Sequence, residues 1–304
     1  MHVCSTVRLM ALALSLGATL ASTSALAAAR DTVPLQTKPD VRSHAFYVLD
    51  ETHSSVLAAR NESIAAPIAS ITKLMTALVV LEAGQPMDEL LTITSADVRG
   101  TVGGRSRLAP GARLSRGDLL HLALMSSENR AAHAVCRNYP DGLPACVQAM
   151  NDKAAELEMT TTRFVEPTGL SSSNVASPED LAKLVLAAGA NPTIRDFSTD
   201  DSHTVYVGRY ALEYRNTNRL VENPAWDVGV QKTGYISKAG RCLVMQTVVD
   251  ERQVVIVLLN SLGRLTRIAD AMRIRTWLES QREAAGDWSS SVSALGPTRQ
   301  LLRE

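Results

Sequence analysis

Charge of one sign is what this sequence most plainly lacks: 31 lysines and arginines face 31 aspartates and glutamates in 304 residues, for a formal net charge of zero. Nucleic-acid binding usually selects a basic face, so nothing in the bulk charge points to DNA or RNA. A polybasic role at a membrane surface is equally unsupported. Proline and glycine, at 12 and 17 residues, are too ordinary for a fibrous or disordered chain. No internal repeat is visible. Cysteine is scarce, and none of the four has a metal-site spacing with histidine. A long apolar run is also missing, because the stretch 9–20 falls short of the roughly 20 residues that a comfortable membrane span needs. What remains is a chain with 45% hydrophobic residues, ample for one sizeable core.

The short apolar run has a meaning of its own. Arg8 precedes it, small residues follow it, and Ala25-Leu26-Ala27 forms an A-x-A cleavage pattern. Residues 1–27 therefore read as a signal peptide rather than an uncleaved anchor or a buried helix, and they predict export to the periplasm. Cys4 lies before the run, so no cysteine is placed for lipid attachment. Removal of the leader leaves Cys136, Cys146 and Cys242. The first two flank the turn-rich Asn138-Tyr139-Pro140-Asp141-Gly142 between two helical patterns. They could face each other across a helix–turn–helix, and an oxidising compartment permits a disulfide, but two free thiols fit the sequence as well. Cys242 sits in a strand pattern and reads as a small core residue.

After an extended linker over 28–43, two strand patterns (45–49 and 55–60) precede a mainly helical middle (71–83, 116–137, 143–157 and 178–188). Three more strand patterns follow at 228–233, 241–249 and 253–259, with Asp250-Glu251-Arg252 as a hairpin turn between the last two. A final helix pattern covers 268–281, and 283–304 lacks a sustained apolar face and reads as a loose tail. Strands at both ends with helices between them predict an α+β fold. One antiparallel sheet is assembled from the two termini, covered by helices, with a second helical lobe. Hairpin connections argue against a doubly wound parallel sheet. The catalytic body is expected over 44–282.

Three short motifs carry chemistry. Ser70 opens a helix that is apolar almost all round, and Lys73 lies one turn on, on the same face. Burial costs an ammonium, so the Lys73 pKa should fall and supply an amine base for the otherwise weak Ser70 hydroxyl. The helix N-terminus gives the Ser70 N–H a place in an oxyanion hole. The bland alternative is a chance S-x-x-K with Ser70 as a plain N-cap. Ser127 and Asn129 come next, a hydroxyl and an amide where a helix is interrupted. They could relay a proton and hold a substrate amide, although the same S-x-N pattern recurs in the Ser-rich loop at Ser172-Ser173-Asn174. Third is Lys232-Thr233-Gly234-Tyr235 on a strand. There Gly234 permits close backbone approach, and cation and hydroxyl share a face only if local distortion rotates them; otherwise this is an edge strand guarded by lysine.

S-x-x-K, S-x-N and K-T-G in this order form the trio of class A β-lactamases and penicillin-binding proteins. The chain resembles the low-molecular-mass penicillin-binding proteins, the D-Ala-D-Ala carboxypeptidase and endopeptidase family, over roughly residues 40–280. Arg107-Leu108-Ala109-Pro110-Gly111 and the segment from Thr162 to Leu170 add to the likeness. Ser127 to Ala132, Arg215 to Asn218, and Lys232 to Met245 bring it nearer to the D-alanyl-D-alanine endopeptidase branch. The resemblance implies a β-lactamase/transpeptidase-like fold and a mechanism without metal or cofactor. Ser70 attacks a D-alanine carbonyl with Lys73 as base, and Ser127 relays the proton toward the leaving amine. Asn129 holds the substrate amide, Lys232 and Thr233 bind the far side, and the N–H groups of Ser70 and Tyr235 form the oxyanion hole. It also implies peptidoglycan cross-links as substrate and β-lactams as covalent inhibitors. By position, Arg267 matches the family arginine that binds a carboxylate beside the cleaved bond; a surface arginine at a helix start is the alternative.

Three other readings stand beside this one. A strict carboxypeptidase often carries a second β-rich domain and an amphipathic anchor, for which the residues after Trp277 are too few. A β-lactamase needs rapid deacylation from an E-x-x-L-N motif, and Glu166-Pro167-Thr168-Gly169-Leu170 breaks that pattern. A non-catalytic peptidoglycan-binding protein would not need Ser70, Lys73, Ser127, Asn129 and Lys232 together.

Overall fold

The computed structural model of the protein describes residues 38–293. Strands β1 (Ala45–Asp50), β2 (Ser55–Arg60) and β3 (Ala66–Pro67) lead into a 3-10 turn, Ala69–Ile71, and helix α1 (Thr72–Glu82). Then follow β4 (Leu90–Thr92), α2 (Ser95–Arg99), β5 (Arg113–Ser115), α3 (Arg116–Met125), α4 (Asn129–Arg137) and α5 (Gly142–Glu156). The chain continues through β6 (Val175–Ala176), α6 (Pro178–Gly189), α7 (Pro192–Thr199), β7 (Ser202–Val207) and β8 (Tyr210–Arg215). It closes with β9 (Asp227–Ile236), β10 (Gly240–Val249), β11 (Arg252–Ser261) and α8 (Thr266–Ser293).

The main sheet has the order β2-β1-β11-β10-β9, antiparallel throughout, so a strand from near the start pairs with one from near the end, Ala45 opposite Leu259. Its central strands are apolar on both faces because both faces are covered. Phe46, Val48, Leu243, Met245, Val254, Ile256 and Leu258 meet Ala271, Ile274, Trp277 and Leu278 of α8. Their neighbours Ala45, Tyr47, Val244, Val255, Val257 and Leu259 turn the other way, into a core shared with α1 and α6. Side chains two apart share a face, which is why near-continuous hydrophobic runs still sort cleanly into two layers. The β10–β11 hairpin turns on Asp250 and Glu251, both left-handed at φ 54° and 66°, as a two-residue turn matched to strand twist requires.

The helical lobe is built on α1, whose residues from Thr72 to Val80 are all buried. The run 116–137 is two helices. Ser126 N, Glu128 N and the Ser126 hydroxyl all bond the Leu122 carbonyl, and Ser127 is left-handed at φ 62°, so α3 ends and α4 restarts at Asn129. Cys136 on α4 and Cys146 on α5 are joined by a disulfide, with Cα atoms 5.5 Å apart. Cys242 is a buried free thiol on β10.

Several elements differ from the sequence reading. The hairpin β7–β8 was not expected, nor was α7, although Asn191 caps α7 and Pro192 begins it. The linker over 28–43 is not free at its end, because Val41 and Ser43 are buried. The Arg42 and Ser43 amides donate to the buried Asp270 carboxylate at 3.0 and 2.7 Å. Helix α8 reaches Ser293 rather than Gln281, so the first part of the expected tail is helical. The expected signal peptide and most of the linker lie outside the described residues, as do 294–304. Among the described residues no helix is long and apolar enough to cross a membrane.

Candidate active site

Ser70 sits in the middle of the 3-10 turn that feeds α1. The preceding Ala69 is left-handed at φ 49°, a conformation that costs a residue with a Cβ roughly 1–2 kcal/mol. Two glycines press against this turn. A Cβ at Gly169 (φ 80°) would lie 1.9 Å from the Ala69 carbonyl oxygen. One at Gly234 would lie 2.9 Å from the Ile68 oxygen and 3.1 Å from the Ser70 nitrogen. Strand β9 therefore runs alongside the Ser70 backbone at a range that only glycine allows.

Lys73 is completely buried beneath Ser70. Its Nζ donates to Ser70 Oγ at 2.8 Å, to Asn129 Oδ1 at 2.8 Å and to the Thr168 carbonyl at 2.6 Å. All three acceptors are uncharged. Burial pushes the Lys73 pKa down to about 7, against a smaller upward pull from Glu166 and Glu128. Near neutrality about half the molecules then carry a free amine, whereas an unperturbed lysine would offer roughly one in 3,000. A neutral Nζ keeps two donors for Asn129 and Thr168 and turns its lone pair to the Ser70 hydroxyl.

Lys232, also fully buried, lies on β9 and donates to the Thr233 carbonyl at 3.1 Å. Burial, then the charges of Lys73 and Arg267, hold its pKa well below the usual lysine range. The distortion that would rotate Lys232 and Thr233 onto one face is not seen, since β9 pairs with β10 in register from Val230 to Ile236. The Thr233 hydroxyl bonds Thr217 Oγ1 at 2.7 Å.

One cleft of about 740 Å³ collects the rest: Ser70, Ser127, Asn129, Thr233, Gly234, Tyr235 and Arg267 all line it, together with Gly104, Arg105, Thr217 and Arg241. Arg267 is half-buried, and its Nε and Nη1 have no hydrogen-bond partner. Arg241 lies over the Tyr235 ring at 4.5 Å. Burial, then Arg241, lowers the Arg267 pKa. Two cations with spare donors at one end of the cleft suit a carboxylate.

Much of the support for Lys73 was not legible as function. Glu166 accepts from the Thr168 amide and hydroxyl (2.7 and 2.6 Å), the Gly169 and Ser171 amides (2.7 and 3.2 Å) and Asn174 Nδ2 (3.0 Å). Asn174 also donates to Thr72 Oγ1 at 3.1 Å. The second S-x-N copy is thus a pin for the loop that presents the Thr168 carbonyl to Lys73. Thr217 and Glu128 lie inside the family-like segments, and no spacing rule marks either one.

A cleft-facing serine bonded to a buried lysine at a helix start, with a second buried lysine on β9 and arginines lining the cleft, is the arrangement of an active-site serine peptidase. The profile of the peptidase S11 family, described as D-alanyl-D-alanine carboxypeptidase, matches residues 32–263, and the chain belongs to this family. It is 45% identical over 255 residues to a D-alanyl-D-alanine endopeptidase of Pseudomonas aeruginosa, covering 83% of this chain and 82% of that protein. It is 42% identical over 276 residues to a D-alanyl-D-alanine endopeptidase of Escherichia coli K12, covering 90% and 88%. Among solved structures, a point mutant of the Streptomyces K15 DD-transpeptidase superposes with a TM-score of 0.73 at 25% identity, covering 79% of this chain and 98% of that one. The expected transpeptidase-like fold is the one observed.

Proposed function

We propose that this protein is an exported D-alanyl-D-alanine endopeptidase that hydrolyses D-Ala–diaminopimelate cross-links of peptidoglycan through a Ser70 acyl-enzyme. The observation that carries the reading is the fully buried Lys73 Nζ, held among uncharged acceptors, at 2.8 Å from the Oγ of Ser70, which faces the cleft. Neutral Lys73 takes the Ser70 proton as Oγ attacks the D-alanine carbonyl carbon. The amides of Ser70 and Tyr235 are the oxyanion donors, placed by the close approach of β9 that Gly234 permits. Collapse of the tetrahedral adduct breaks the C–N bond, and Ser127 relays a proton to the departing amine. Asn129 positions the substrate amide, Lys232 and Thr233 set the field on its far side, and Arg267 takes the carboxylate next to the cleaved bond. Water then releases the acyl group and returns Ser70 to its starting state.

β-Lactams, which mimic D-Ala-D-Ala, would acylate Ser70 and stay. All the donors around Glu166 hold it within its own loop, which supports slow deacylation rather than β-lactamase turnover. The A-x-A pattern that ends at Ala27 supports export to the periplasm. A carboxypeptidase reading is favoured by the description of the matching family, and the two named endopeptidases at over 40% identity weigh against it. Incubation with cross-linked dimeric muropeptides and with monomeric pentapeptides separates them. Loss of dimers without release of terminal D-alanine supports the endopeptidase, and the reverse result replaces it with the carboxypeptidase.

A further inference from the structure

A second cleft, of about 670 Å³, opens off the catalytic one. Gly104 and Arg105 line both, so the two are continuous, and the side cleft takes no residue from β9 or α8. Arg105, Arg107, Arg130 and Arg215 line it, and its one acidic residue is Glu128. In a chain of zero net charge this is a concentrated positive field.

The charges are not cancelled. Arg107 Nη2 donates to the Glu213 carbonyl at 2.5 Å, and its guanidinium lies 3.8 Å from the centre of the Tyr214 ring. Arg130 Nη1 donates to the Leu108 carbonyl at 2.6 Å, while its Nε is buried with no partner. Main-chain carbonyls and a ring fix these guanidinium groups without neutralising them. Arg215 pairs with the Glu213 carboxylate at 2.8 Å, but both side chains are over half exposed and the pair is weakly held. Glu128 receives the Ser106 hydroxyl and is almost wholly buried, which raises its pKa, and it stands as one carboxylate against four guanidinium groups.

We propose that this side cleft is an anion subsite that binds a free carboxylate of the peptidoglycan stem peptides, on the side of Ser70 away from Arg267. The inference rests on the endopeptidase reading for its substrate. A ligand anchored by a carboxylate at Arg267 and by another beyond Gly104 is long and doubly anionic, as a cross-linked peptide is and a terminal dipeptide is not. The anion comes from the acidic residue of the stem or from its diaminopimelate.

Binding is measured with full-length Ser70→Ala protein, so that no turnover is required. The probes are dimeric stem peptides with all carboxylates free, amidated at the acidic residue, or amidated at diaminopimelate. One amidated form should bind roughly tenfold more weakly, the worth of one charge-assisted contact, and it identifies the source. The preference should fall toward one in Arg107→Gln and recover in part in Arg107→Lys. Equal affinity for free and amidated peptides in the Ser70→Ala protein overturns the proposal, and so does a preference that persists in Arg107→Gln while both forms weaken alike. Charge-selective binding with no cleavage of dimers by the unaltered enzyme overturns the endopeptidase reading alone.

Discussion

If the Lys73 amine is the base, acylation of Ser70 must follow its loss of a proton. With a pKa pushed from 10.5 down to about 7, the neutral fraction is roughly 0.1 at pH 6, 0.5 at pH 7 and 0.9 at pH 8. The second-order rate of acylation by benzylpenicillin, followed by stopped-flow protein fluorescence, should rise roughly fivefold from pH 6 to pH 7, less than twofold to pH 8, and then level. A base with an ordinary lysine pKa would instead give about tenfold per unit up to pH 9. The same shift has a thermodynamic face. Between pH 7 and 10.5 the unfolded chain holds this proton and the folded one does not, so stability rises with pH across that window. The burial penalty is roughly 5 kcal/mol, fully present below pH 7 and relieved above 10.5. Lys73→Ala should lower acylation by at least ~10³-fold and abolish the inflection. A log-linear climb through pH 9 in the unaltered enzyme, or an inflection near 7 that survives in Lys73→Ala, would refute the reasoning.

Other perturbations follow from contacts already described. Gly234→Ala places a methyl 2.9 Å from the Ile68 oxygen and should cost about 1–3 kcal/mol in stability while slowing acylation roughly 10–100-fold, read by thermal melt and penicillin titration. Removing the 136–146 disulfide as the double Cys→Ala variant should cost about 3 kcal/mol for a loop of this length, seen as a melting point lower by roughly 6–12 °C. Arg267→Ala should reduce kcat/KM roughly 10–100-fold on peptides bearing a carboxylate next to the cleaved bond, and intact cleavage would return Arg267 to a surface role.

The parts of this molecule that sequence exposed are those with a residue-type signature. Strands β1, β10 and β11 were legible because apolar runs bounded by turns have few other uses, and Asp250-Glu251 marked the tightest turn. The β7–β8 hairpin was missed although His203 to Val207 alternates and Gly208 supplies the turn, because its strands are largely exposed and carry no apolar run. Within the site, Ser70 and Lys73 were readable from one helical turn. The third acceptor of Lys73 was not, since a main-chain carbonyl 95 residues away has no signature of its own. Glu128 and Thr217 were hidden for a related reason: their roles arise from what packs against them.

The most direct measurement is intact-mass analysis after benzylpenicillin treatment, with peptide mapping of the adduct. The account predicts one penicilloyl group per chain, on the peptide containing Ser70, and none on Ser70→Ala protein. Folded, saturated enzyme that gains no mass, or a label on any other residue, contradicts it.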